Sequence, residues 1–221
     1  NELEKIPENL SNLVKLEVLL LHKNKIRHFP AAYRRLKNLT YLNLYLNRFR
    51  DIPYEVWSYK QLKTFSWGVS SIQEIPEEIC NLENLEYLTM VFNKITRLPN
   101  TFAKLKRLKA TRLHKNRLEE LPRNIAELDQ LEQITLYQNR LSELPLGFGQ
   151  LQSLEKLNLA QNAFTNIPQE LSKLARLKWL GFFDNPLPLG VCTSPLNPSI
   201  ECLWERPWTE FRGENKFDVV T

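Results

Sequence analysis

Few side chains in this chain could make or break bonds, and none are spaced for it. His22 and His114 fall in the same register of a periodic pattern, but four units separate them. That is roughly 19 Å at strand spacing, too far to share a metal ion. No H-E-x-x-H, G-x-S-x-G, phosphate-loop or C-x-x-C signature occurs. We therefore expect no catalysis, no metal and no cofactor. The chemistry that remains is non-covalent. Tyr41, Tyr45, Tyr87, Val91, Phe92, Arg112, His114, Tyr137, Trp179 and Phe183 recur at fixed positions of the pattern. Large, stiff, amphipathic rings and arginines of this kind dominate contact energies between macromolecules. Such a set works only if a scaffold holds it on one face.

The prolines define that scaffold. Pro7, Pro30, Pro53, Pro76, Pro99, Pro122, Pro145 and Pro168 follow one another at intervals of 23 residues. Asn1, Asn24, Asn47, Asn93, Asn116, Asn139, Asn162 and Asn185 keep the same interval, and Ser70 alone interrupts them. A fixed period of this length is the mark of stacked supersecondary units.

One unit reads Leu85, Leu88, Met90, Asn93, Ile95, Leu98, Pro99, then Phe102, Leu105 and Leu108. Its first part alternates apolar and polar residues, as a strand with one buried face does. After the proline, apolar residues recur every third place, which suits a tight helical turn. Proline fixes φ there and leaves no N–H unpaired. A unit this short cannot bury its own apolar stripe, so the copies must stack. The carboxamides of Asn24, Asn47, Asn93, Asn116, Asn139, Asn162 and Asn185 can then form a ladder that satisfies the turn after each strand. At position 70 a hydroxyl replaces only part of that function. The same unit has Phe65 and Trp67 at core strand positions, followed by Gly68. It is a local irregularity, open to two readings: sequence drift or a device for a partner.

The pattern resembles the leucine-rich repeat family, in its 23-residue class, L-x-x-L-x-L-x-x-N-x-L-x-x-L/I-P-x-x-I/L-x-x-L. Similar units occur in intracellular eukaryotic scaffolds and in repeat proteins of bacteria, spirochaetes included, and the polar-rich units here lean to the bacterial side. The resemblance implies an α/β solenoid, a right-handed horseshoe. Parallel strands would line its concave side, with short helical or 3-10 segments outside, and it would bind another protein. We assign residues 1–189 to the repeat array and 190–221 to a C-terminal cap.

Alternation along each strand sends the residues between core leucines outward. Six places before the lattice position stand Val18, Tyr41, Thr64, Tyr87, Ala110, Gln133, Lys156 and Trp179. Four places before it are Leu20, Asn43, Ser66, Thr89, Arg112, Thr135, Asn158 and Gly181. Two places before it are His22, Tyr45, Gly68, Val91, His114, Tyr137, Ala160 and Phe183. The neighbouring column adds Leu46, Val69 and Phe92. A face with no partner would be built of Thr, Ser, Lys and Glu, so we expect a protein ligand here. β-propensity alone also enriches strands in aromatics, and is the competing explanation. A host surface protein is the expected target if the source is a pathogen.

The net charge of +5 and pI near 9.1 are mildly basic. Lys25, Arg48, Lys94, Arg117 and Arg140 follow the lattice position and would make a basic rim, with Ser71 the gap. It is either a solvated edge or a steering field for an acidic partner. Two alternatives to protein binding thus stay open: polyanion capture by the rim, and self-assembly through an open sheet edge. Nucleic acid is not the expected partner, because no clustered patch accompanies the charge. No apolar run approaches the ~18 residues that span a bilayer.

Asn1 already occupies a lattice position, so the strand of its unit is absent and we expect a mature form or fragment of a longer product. Secreted or cell-surface placement is favoured over cytoplasmic; oligomeric state is left open. Cys80 should be a free thiol on the outer side. Cys192 and Cys202 either close a short loop or stay reduced in the cap. Trp204, Trp208, Phe211 and Phe217 are expected to cover the last unit, and residues 216–220 to pair with the open edge.

Overall fold

The computed structural model describes residues 1–188 and, as backbone, 201–203. Every unit follows one course: a short strand, a sharp turn, a descending segment, a 3-10 turn and a return. The strands are β1 (Val18–Leu20), β2 (Tyr41–Asn43), β3 (Thr64–Gly68), β4 (Tyr87–Val91), β5 (Ala110–Arg112), β6 (Gln133–Thr135), β7 (Lys156–Asn158), β8 (Trp179–Gly181) and β9 (Glu201–Leu203). They form one parallel sheet in chain order. Val18 pairs with Tyr41, Tyr41 with Thr64 and Thr64 with Tyr87, so equivalent residues sit side by side. The columns expected from the sequence are therefore real columns.

Proline starts the 3-10 turns as its missing N–H requires. Seven of the eight cap a turn directly, with φ between −58° and −71°. Pro122 stands two residues before the cap Asn124, yet its carbonyl still accepts the Ile125 N–H at 3.0 Å. The turns are single five-residue pieces such as Asn100–Lys104, except the three-residue Ile125–Glu127, and the threefold apolar spacing faces them inward. In that unit Leu85, Leu88, Met90, Ile95, Phe102, Leu105 and Leu108 have no exposed surface. Each such side chain contributes about 1.5–3 kcal/mol of burial. Early units put tyrosine at turn positions that later hold leucine and phenylalanine. The Tyr33 hydroxyl donates to Pro7 O and the Tyr59 hydroxyl to Tyr33 O, each at 2.9 Å. Burial pushes the Tyr33 phenol up to about 12.

The asparagine ladder has a repeating geometry. Asn139 Nδ2 donates to Leu136 O of its own unit at 2.8 Å and to Leu113 O of the previous one at 3.1 Å. Its Oδ1 accepts the Leu118 N–H at 2.9 Å. Asn47, Asn116, Asn162 and Asn185 repeat this scheme, and Asn24 makes the bonds of a first rung. Asn93 does not. Its Oδ1 is buried without a partner and its Nδ2 reaches only Val91 O. Ser70 reaches only Phe49 O, at 3.5 Å. One substitution thus breaks two rungs.

The sheet does not stop where the lattice does. β9 pairs in parallel with β8, Trp179 opposite Glu201, so that edge is taken by 201–203. The segment 216–220 expected there, the Cys192–Cys202 loop, the four tail aromatics and the cap boundary at 190 fall outside the described residues. Cys80 is a free, half-buried thiol.

Candidate functional site

The concave columns converge most closely two places before each asparagine. At Gly68 a side chain could not exist: a Cβ would lie 2.7 Å from Cε2 of Tyr45 and 2.6 Å from Val91 O. The Tyr45 ring therefore lies across β3 instead of standing out from β2. Next along the column come Val91, His114 and Tyr137. His114 stacks on Tyr137, centroids 4.3 Å apart at 15°, and meets the edge of Phe92 at 6.1 Å and 72°. Its Nδ1 is 3.2 Å from Thr135 Oγ1. Lys115 Nζ sits 4.3 Å above the Phe92 ring, a cation–π contact. The result is a continuous ring-bearing stripe from β2 to β6.

Burial governs the electrostatics of this stripe. Desolvation first, then the charges of Arg112 and Lys115, push the His114 imidazole down to about 3. It is neutral at physiological pH, and so packs as an aromatic. The phenols of Tyr41, Tyr45 and Tyr137 are all raised by burial; Tyr45 adds to the rise at Tyr137 and Arg112 opposes it.

Not every expected contact residue offers surface. Val91 is 4 % exposed and Trp179 6 %, against the expectation of outward-facing area. Val91 is closed in along its column, between the ring-covered Gly68 and His114. Trp179 lies over the bare backbone of its own strand, where a Cβ on Gly181 would meet its Cη2 at 2.8 Å. Asn43 and Asn158, from the column four places before the lattice, also turn back. Their Oδ1 atoms accept the N–H of Tyr45 and Ala160 two residues on, each at 3.0 Å. The Asx habit of bonding the backbone two places ahead was the sequence signal for this. Tyr41, Tyr45, Tyr87, Arg112, His114, Tyr137 and Phe183 are half-buried, and Phe92 is exposed. Tyr87, Arg112, Tyr137 and Trp179 each take part in further contacts within the chain. Val18 and Leu20 on β1, both nearly half exposed, extend the apolar surface at its first strand.

The basic rim is discharged at its ends. Lys25 pairs with Glu2 and Arg140 with Glu119, which leaves Arg48, Lys94 and Arg117 without an ion pair among the described residues. Convex lysines are taken up likewise, Lys106 by Glu127 and Lys109 by Glu86, both at 2.8 Å. Among the described residues no helix is long and apolar enough to cross a membrane.

The comparisons with known proteins agree with this architecture. A family model described as a leucine-rich repeat region matches residues 54–139 and 76–186. A leucine-rich repeat protein of Leptospira interrogans superimposes with a TM-score of 0.86 at 33 % identity, over 92 % of this chain and 53 % of its own. A TDR receptor gives 0.73 at 29 % identity, over 84 % of this chain and 33 % of its own. An internalin from Listeria monocytogenes gives 0.56 at 23 %, over 85 % and 66 %, a likeness of fold alone. The chain thus spans about half the length of the Leptospira protein. No curated protein matches it. With its lattice of prolines and asparagines, its parallel sheet and its 3-10 turns, the chain belongs to the leucine-rich repeat family.

Proposed function

We propose that this chain is a protein-interaction module that grips a partner protein on its concave face. The observation that carries the reading is the stripe of Tyr45, His114 and Tyr137 over buried Val91, bordered by half-buried Tyr41 and exposed Phe92. Rings held by stacking lose little freedom when a partner arrives, and rigid aromatics of this kind are what interface hot spots are made of. Leucine-rich repeat domains typically serve as interaction modules and as scaffolds without catalysis, which supports the class of function. A bacterial source, secretion or surface display, and a host protein as target extend the proposal; the Leptospira likeness supports the first.

The test compares the native chain with a Tyr41→Ala/Tyr45→Ala variant against a panel of purified host surface proteins. Loss of about tenfold or more in affinity at an unchanged thermal midpoint is expected for the partner. Equal affinity of both proteins for every ligand found would refute concave recognition. Capture by the rim alone is the competing reading, and it predicts steep salt dependence.

A further inference from the structure

Every turn after a strand needs one residue in the left-handed region. Those residues are Lys23, Leu46, Val69, Phe92, Lys115, Gln138, Gln161 and Asp184, all with φ between 53° and 57°. Glycine or asparagine adopts this conformation at little cost, whereas a β-branched side chain there is a genuine outlier. Five of the eight positions carry polar or charged chains, as a solvated turn should. Three consecutive ones, Leu46, Val69 and Phe92, carry bulky apolar chains, and Val69 and Phe92 are each 40 % exposed. Backbone strain argues against all three and solvent against Val69 and Phe92, in adjacent units. Strain held at an exposed site is a pointer to function.

Charge identifies the occupant. Arg48, Lys94 and Arg117 stand two places beyond Leu46, Phe92 and Lys115, exposed and without an ion pair among the described residues. The ammonium of Lys115 lies on the Phe92 ring. An apolar ridge edged by unpaired cations complements a segment with apolar and acidic faces. Spacing identifies its conformation. Neighbouring strands set the three apolar chains at intervals of about 4.8 Å. One turn of an α-helix advances about 5.4 Å, whereas same-face residues of an extended chain lie about 6.8 Å apart. The helix keeps register across three units and the strand does not.

We propose that the rim at the ends of β2, β3 and β4 docks an acidic amphipathic helix of a partner protein, one helical turn per repeat. This surface shares Phe92 with the border of the concave stripe, while its other two apolar chains, Leu46 and Val69, lie outside that stripe. The probe is a labelled synthetic helix of about 18 residues with leucine at i, i+4 and i+7 on a glutamate-rich background. It is compared with a peptide of the same composition in which leucine and glutamate alternate, and with a heparin fragment. The helical peptide should bind best. A Val69→Asn/Phe92→Asn variant should weaken it about tenfold or more, while its thermal midpoint holds or rises because asparagine relaxes the left-handed turn. Tyr41→Ala, at the far end of β2 from Leu46, should leave this affinity within about twofold, which separates failure here from failure of the concave reading. The proposal is overturned by no binding of the helical peptide at about 100 µM. Equal binding of the alternating peptide, stronger binding of heparin, or an unaffected double variant would overturn it too.

Discussion

The units that end at Asn116, Asn139, Asn162 and Asn185 and the unit that contains Ser70 solve the same problem differently. In the former, a carboxamide ties each turn to its own strand and to the unit before it. In the latter the tie is missing, and Asn93 is left with an unsatisfied oxygen. The backbone course nevertheless stays the same. β3 and β4 pair over five residues where most neighbours pair over three. Phe65 and Trp67 fill the core, with Trp67 stacked on Phe49 at 5.5 Å. Register is therefore set by strand pairing and apolar fill. The ladder adds stability rung by rung without deciding the path of the chain.

Substitutions can break that contrast. Asn139→Ala removes two donated bonds and one accepted bond and orphans buried groups, so we expect a loss of about 2–3 kcal/mol in denaturant unfolding. Ser70→Ala should change stability by only a few tenths of a kcal/mol, because its 3.5 Å contact is barely a bond. Equal losses at both positions would contradict the picture of a broken ladder.

Acid sharpens the contrast next, because His114 stands in the unit that ends at Asn116. Its folded pKa lies near 3, well below the unfolded value of about 6.5. Between those values the unfolded chain binds the extra proton, so stability rises with pH and falls as the solution is acidified from about 6.5 toward 3. At 1.36 kcal/mol per pH unit the loss reaches about 2 kcal/mol by pH 5. A His114→Gln variant should lack this component when both proteins are titrated by thermal unfolding. Identical pH profiles would show that the imidazole is solvated. The smallest gain is expected from Ser70→Asn, which offers the missing amide to the neighbouring carbonyls. We expect about 1 kcal/mol, read as a shift in denaturant midpoint.

The fold was legible because its determinants are local and repeated. Proline every 23 residues fixes where each 3-10 turn begins, and Leu-x-x-Leu-x-Leu fixes which face of each strand is buried. The site was only half legible, since alternation gives a side chain's direction and not its depth. Tyr45 and Trp179 both point to the concave side, yet each ring lies down over a glycine, Gly68 in the next strand and Gly181 in its own. Asn43 bends back to its own backbone, which the column alone does not reveal.

The sequence by itself determined the solenoid, its period, its buried stripe and the columns of its inner sheet, because each rests on interactions within one unit or between identical neighbours. Only the tertiary structure decided which column residues keep exposed surface and that the break at Ser70 also costs the Asn93 rung. It alone also showed that Leu46, Val69 and Phe92 occupy left-handed turns. Those outcomes depend on side chains one repeat away and on backbone angles imposed by stacking, to which no single unit holds the key.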